Sequence, residues 1–439
     1  HGFMEEVVPY TLHAAIRNFY IPFISRKSVK SLVIMCSIGL CFFAFMGMQR
    51  ASIGLELSDV LPEHTAPAAF LKARDRYFSF YPMFAVLKSE KEKPINYATQ
   101  QHQIEAYRQA IAKSSYVIKR ADGQPSEAYW LGMMRDWLRE IQKKTDSAIA
   151  NGTIDVASGK LLLNGTLQED TGTKLKGISE DALTGYRLLC SVGDKWNCSR
   201  VGHVRLVDET GTINVEGFYN YLTAWFNQDN MMYYVTQASF FPPPPAWSLN
   251  DPTSLVPAAE PLAYSQIPFY LTGLTNTPVI VEVIKEIRGI CDEYTKNDLP
   301  NFPQGIAFTF WEQYLHLNAN LMQAIAMIAL AVFVVLSLLL FNPWAAASIL
   351  AILVCMTIQL AGFLGWAGVK LNPVSAVTLI TAVGIGVEFT AHVVLAFLTS
   401  LGNRQERMAS AVDRVFVPVI HGALSTLLGI IMLAFSEFE

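Results

Sequence analysis

The chain has 439 residues, 52% of them apolar and 16% charged, with a formal net charge of −4; an average soluble protein carries about 25% charged residues. The deficit is concentrated in five windows, 31–48, 321–341, 344–366, 373–398 and 415–435, which together hold one formally charged residue, Glu388. Each approaches the ~20 residues a helix needs to cross hydrocarbon, which excludes a soluble enzyme and a disordered scaffold; without a long basic stretch, nucleic acid is not an expected partner.

The N-terminal segment 1–28 places Leu12, Ile16, Phe19 and Phe23 at helical spacing, with Arg17 and Asn18 on other faces. This predicts an amphipathic helix lying in the membrane interface, ahead of a first span over 29–48. Arg17, Arg26, Lys27 and Lys30 precede that span, and Arg404, Arg407 and Arg414 lie in the 399–414 loop. The opposite flanks offer Arg50 and Lys370, so the positive-inside rule makes the N-terminus and 399–414 cytoplasmic and 49–320 extracellular. Three sequons, at Asn151, Asn164 and Asn197, fall in that outer region and predict glycosylation. Five spans leave the two ends on opposite sides, so the sequence reads as a piece of a longer protein, lacking at least one further span at its C-terminus.

The outer domain reads as α+β. Residues 83–88 are strand-like, 98–113 helical and 116–119 a short strand; then 266–272 is strand-like, 278–293 helical and 305–310 a strand. Two βαβ units flanking an insertion over 120–264 predict a ferredoxin-like split βαβ core. The prolines at 242–245 require an extended connector. Cys190 and Cys198 share the oxidising side, eight positions apart around Gly193, and are expected to form a disulfide. Cys291 is then unpaired, and Cys36, Cys41 and Cys355 read as small apolar fillers within spans. The sequence holds no CxxC, HExxH, GxSxG or P-loop pattern, so neither a metal nor an enzyme is expected.

Glu388 carries the functional reading. A carboxylate in the middle of a span costs about 2.5–3.5 kcal/mol on insertion scales. At 100° per residue Gly384, Thr381 and His392 lie within about 40° of it, a polar and small stripe on an apolar helix. The last span enters from the same side carrying His421, with Ser425 and Thr426 a turn deeper. Counting inward, His392 and His421 lie about 9 Å deep, and Ser425 and Glu388 deeper still. Together they read as a polar ladder able to exchange a monovalent cation, Na+ or H+.

The stretch Gly384-Ile385-Gly386-Val387-Glu388-Phe389-Thr390 with His392 resembles the GxxxE span of the Patched family, in the resistance–nodulation–division superfamily. Further resemblance lies in Phe78-Ser79-Phe80-Tyr81, Tyr221-Leu222-Thr223-Ala224-Trp225, the run from Pro257 to Leu274, Trp311-Glu312-Gln313-Tyr314 and Phe341-Asn342-Pro343-Trp344. The resemblance implies the C-terminal half of a protein with twelve spans in two repeats. This chain would supply spans seven to eleven and the second outer domain, and the N-terminal half would be its partner. It also implies a plasma-membrane or endosomal protein that moves sterol with a cation gradient, and a secreted Hedgehog-type ligand as a further partner. One departure stands out: the family more often has an aspartate where this chain has His421.

A sterol path through the outer domain would draw on Phe269, Phe308 and Trp311, although strand alternation alone reads them as core residues before conduit. Three readings remain: a cation-coupled transporter of sterol and membrane lipid, a receptor for a secreted ligand, and a Dispatched-like releaser of lipid-anchored proteins.

Overall fold

The computed structural model describes residues 14–431 apart from 55–60, 63, 79, 164, 171–176, 230–239 and 251–252. Leu12 and the sequon at Asn164 lie outside the described residues. In chain order the elements are α1 Lys27–Arg50, α2 Ala66–Tyr77, β1 Phe80–Lys88, α3 Gln101–Lys113 and α4 Trp130–Ala150. Strands β2 Ile154–Asp155, β3 Lys160–Leu163 and β4 Thr166–Gln168 follow, then α5 Glu180–Cys190, β5 Ser191–Val192, β6 Lys195–Trp196 and α6 Phe218–Gln228. After these come β7 Phe240–Phe241, β8 Tyr264–Thr272, α7 Thr277–Lys296 and β9 Asn301–Gly305. The last four are α8 Leu317–Leu340, α9 Pro343–Trp366, α10 Pro373–Thr399 and α11 Arg404–Ile431. The chain divides into a helical unit (up to Tyr77, Asn276–Pro278 and from Gln313) and an α+β unit (Phe78–Thr275 and Val279–Glu312).

In the helical unit α1, α8, α9, α10 and α11 are 24 to 28 residues long, enough at 1.5 Å per residue to span about 30 Å of hydrocarbon. Their apolar side chains point outward as well as inward; Leu32, Phe42, Leu330, Leu338 and Leu428 are all exposed. Helices apolar all round need a hydrocarbon surround or further membrane helices.

Small residues set the closest packing. A Cβ on Gly362 would lie 2.3 Å from the Ala44 backbone, and one on Gly365 would lie 2.1 Å from the Gly47 carbonyl oxygen. Only glycine lets α1 and α9 approach this far. Beside the seam the Trp366 ring stacks on Phe43 with centroids 4.6 Å apart, and Arg50 sits 4.2 Å over the same indole. A separate core of Leu336, Ala346, Ile349 and Leu353 joins α8 to α9 and receives Val387, Ala391 and Val394 of α10.

The turns are specified locally. Asn342 caps α9 by accepting from the Ala345 amide, and Pro343 fits the first helical turn. Asn372 and Ser375 form a reciprocal capping box at the start of α10. Helix α11 begins at Arg404, so most of the expected 399–414 loop is helix. The reason lies in the cap: Arg407 donates to the Phe397 and Leu398 carbonyls at 3.2 Å each, closing the C-terminal end of α10 against the first turn of α11.

The expected N-terminal stripe is broken. Residues Ile16–Tyr20 form a π-helical turn; Ile16 is buried while Phe19 and Phe23 are exposed. The wider i→i+5 turn rotates these positions off a common face, and Tyr20 instead meets Phe416 of α11 with ring centroids 5.2 Å apart.

The α+β unit is built on an antiparallel sheet of order β7-β8-β1-β9. Residues 116–118 extend the β7 edge of β8 through a bridge from Val117 to Leu271 and two backbone bonds, forming no strand of their own. The expected strand at 305–310 is corrected: the strand is Asn301–Gly305, and Ile306–Phe310 is a short helix. Pro303 is tolerated on this edge strand, and a Cβ on Gly305 would lie 2.7 Å from the Pro82 carbonyl oxygen, so only glycine closes the register. Alternation of Ile306, Phe308 and Phe310 mimics a strand, yet the Trp311 amide bonds the Ala307 carbonyl as in a helix. Helices α3 and α7 pack together through Tyr107 and Tyr294, 5.2 Å apart.

The insertion packs Trp130 against its own Trp225 and against Tyr97, ahead of α3, at centroid distances of 6.4 and 6.1 Å. Arg187 on α5 forms a bidentate ion pair with Asp170 at 2.6 and 2.9 Å, and both side chains are 0% exposed. Gln101 of α3 clamps the insertion by bonding both the amide and the carbonyl of Ile213. A disulfide joins Cys190 and Cys198. The 242–245 prolines lie outside helix and strand.

Candidate intramembrane ion site

Helix α10 has two unlike faces. Gly386, Val387, Ala391 and Val394 turn toward α8 and α9; a Cβ on Gly386 would meet the Met356 methyl at 2.8 Å. A second face carries Thr381, Gly384, Glu388 and His392, all exposed. The polar stripe therefore coincides with the face that the other described helices leave uncovered. Gly384 has nothing within 4 Å of a built Cβ, so no helix among the described residues approaches closely there.

Helix α11 comes alongside at Gly422, where a Cβ would lie 3.1 Å from the Phe389 ring. That contact sets His421 at the level of the turn holding Glu388, on the exposed side of α11. The hydroxyls are satisfied by their own helices: Thr381 donates to the Val377 carbonyl at 2.9 Å, and Ser425 and Thr426 both donate to the Gly422 carbonyl at 2.9 Å. The side chains of Glu388, His392 and His421 make no hydrogen bond or ion pair with any described residue. The structure thus brings these groups to one region of the bundle without joining them directly. Sequence reasoning missed the Phe389–Gly422 contact, whose only signal is a glycine on the span facing Glu388.

Two cavities lie elsewhere in the helical unit. One, about 350 Å³, lies between α9 and α10 and is lined by Met356, Gln359, Phe363 and Ala382 among others. The other, about 590 Å³, is walled by Met48, Leu321, Met322, Ile358, Leu364 and Leu379.

The residues expected to line a sterol path are buried. Phe269 is 1% exposed, Phe308 4% and Trp311 2%. They belong to the core of the α+β unit, where Trp311 packs edge-on against Tyr81 at 5.8 Å. Phe308 also sits on the short helix rather than a strand. The fillers are corrected in part: Cys36 and Cys355 face outward, while Cys41 accepts from Gln359 at 3.4 Å between α1 and α9. Asn151 and Asn197 are both exposed.

Five long apolar helices, one bearing an acid on an uncovered polar stripe, define a polytopic helical membrane protein. No family model matches the chain. It is 60% identical over 438 residues to Protein patched homolog 1 of Caenorhabditis elegans, covering 99% of this chain and 30% of that protein. It is 32% identical over 443 residues to Protein patched of Drosophila melanogaster, covering 100% of this chain and 33% of that protein. Over 178 residues, 39% of this chain and 14% of the relative, it is 30% identical to NPC intracellular cholesterol transporter 1 homolog 1b of the same fly. Over nearly its whole length the chain is a Patched homologue. It spans about a third of the length of these Patched relatives.

Proposed function

We propose that this chain is part of a Patched-like transporter that moves sterol or related membrane lipid using a cation gradient, with Glu388 as the residue that takes the cation. The observation that carries the reading is the uncovered stripe of Thr381, Gly384, Glu388 and His392, since an intramembrane acid marks an ion pathway by default. His392 extends the path toward the cytoplasm, with His421 level with Glu388 and Ser425 and Thr426 a turn further in on α11. The partner of this face is the N-terminal half of the protein, which would bring further acids opposite Glu388 and hold Na+ or H+ between them. Moving one charge across 100 mV supplies about 2.3 kcal/mol, enough to tilt a lipid equilibrium about fifty-fold.

The sterol reading is supported by the NPC-type relative and by the 590 Å³ cavity, whose size and apolar walls suit a rigid lipid. The α+β unit is the extracellular part, with glycans at Asn151, Asn164 and Asn197, in the plasma membrane or endosomes. Its core fits a ferredoxin-like split βαβ: the sheet runs 301–305, 80–88, 264–272 and 116–118 across, with α3 and α7 on the connections. The test is sterol efflux from cells expressing the full-length protein. Glu388→Gln is expected to reach the membrane and move no sterol; normal efflux would end the reading.

A second reading, capture of a secreted Hedgehog-type ligand, is favoured by the insertion, where the cross-strand pair Leu162 and Leu167 lies exposed on the β3–β4 hairpin. Replacing both with serine should abolish ligand capture by cells and leave efflux intact; unaltered capture would remove the support.

A further inference from the structure

We propose that the α+β unit carries an oxyanion site at the N-terminus of α4, shaped for a sulfate or phosphate ester. A cleft of about 450 Å³ opens there, lined by Arg108, Arg120 and Arg135 together with Tyr129, Glu105 and Asp136. Helix α4 runs for 21 residues without a side-chain N-cap, and its first backbone bond is from the Met133 amide to the Tyr129 carbonyl. The amides before Met133 have no partner within the helix, Gly132 among them lines the cleft, and the helix dipole favours negative charge at this end. A Cβ built on Gly132 meets nothing within 4 Å, so open space borders that residue.

A second observation points to a ligand. Tyr129 is 3% exposed, yet its hydroxyl has no hydrogen-bond partner. Arg108, 9% exposed, lies over its ring at 5.8 Å. Arg135 makes no hydrogen bond or ion pair with a described residue, and its Nε is buried and unpartnered. Buried donors without acceptors are costly and rare in folded proteins. A water molecule would serve the phenol but would leave the guanidinium charge unanswered.

The local charge favours an anion. Glu105 is engaged by Arg108 at 3.1 Å, and Asp136 is held by Arg139, outside the cleft lining, also at 3.1 Å. Arg120 gives its Nε to the Ser126 carbonyl, and with Arg135 it has no carboxylate partner among the described residues. Arg120, Arg135, Tyr129 and Gly132 line the same cleft, and together they offer more donors than one carboxylate can accept from. A tetrahedral oxyanion answers them all. The cleft exceeds a lone ion in size, which leaves room for the sugar or other alcohol that the ester carries.

The experiment uses the full chain in lipid nanodiscs and follows thermal unfolding. Inorganic sulfate, inorganic phosphate, glucosamine 6-sulfate and glucose 6-phosphate are each titrated against chloride at matched ionic strength. The expected result is saturable stabilisation by at least one oxyanion beyond that of chloride, with the tighter ester naming the source. Arg135→Gln should weaken it about ten-fold, the loss of one charge-assisted hydrogen bond. Tyr129→Phe removes only an oxygen that lacks a partner, so it should leave the unliganded protein as stable or more stable while weakening the oxyanion. A response equal to chloride, or one unchanged in both variants, would overturn the proposal.

Discussion

Phe389 and Gly422 set the spacing of α10 and α11 one residue away from Glu388: a methyl at 422 would stand 3.1 Å from the Phe389 ring. The ring can yield a few tenths of an ångström to Gly422→Ala but not to a branched side chain. Gly422→Val is therefore expected to cost about 1–3 kcal/mol of overpacking and to impair sterol efflux, with Gly422→Ala close to native. Thermal unfolding and efflux measured on both variants check this; a fully active Gly422→Val would show that the spacing is not needed.

The α1–α9 seam is stricter. Gly365 would place a Cβ 2.1 Å from a backbone oxygen of Gly47, which no side-chain rotation relieves. Gly365→Ala should lower the unfolding temperature of the solubilised protein, with a cost of at least about 1–3 kcal/mol. Gly384→Ala is the control, since open space surrounds that position: its stability should stay native. A loss of transport at native stability would place the N-terminal half against Gly384.

Arg187 and Asp170 form a fully buried pair, with a further bond from Arg187 to the Leu249 carbonyl at 2.8 Å. Arg187→Met strands a buried carboxylate, and breaking such a pair costs about 3–5 kcal/mol. The expected readout is retention inside the cell or a strongly lowered unfolding temperature. Native stability in this variant would mean that Asp170 finds another partner.

Cys291 is buried, 3.3 Å from the Tyr107 hydroxyl, and burial pushes its thiol up from 9.0 to about 11. The sign follows from linkage: the protonated thiol is favoured in the folded state, so its contribution is complete below pH 9 and is lost as pH rises toward 11. Burial raises the Tyr107 hydroxyl as well, so the effect is read by difference. Cys291→Ala should lose less stability than native between pH 9 and 11, and the native thiol should resist alkylation at pH 8. Rapid labelling at pH 8 would contradict the burial.

The spans were legible because charge is nearly absent from them, and β1, β8 and α7 because they carry clear periodicity. The strand at Asn301–Gly305 was not, since Pro303 argues against a strand and only its edge position permits one. Phe269, Phe308 and Trp311 illustrate a general limit: alternation identifies aromatic residues that face inward but not whether a cavity lies there. At the candidate ion site, Glu388 and its stripe were visible as polar exceptions in apolar sequence. The Phe389–Gly422 contact was not, because a ring against a glycine leaves no polar mark.

The most direct test of cation coupling through Glu388 is sterol efflux by the full-length protein with the sodium and proton gradients varied separately, native against Glu388→Gln. Coupling requires native efflux to follow one gradient and the variant to follow neither while reaching the membrane normally. Equal efflux from both, indifferent to either gradient, would make Glu388 a packing residue and contradict the coupling.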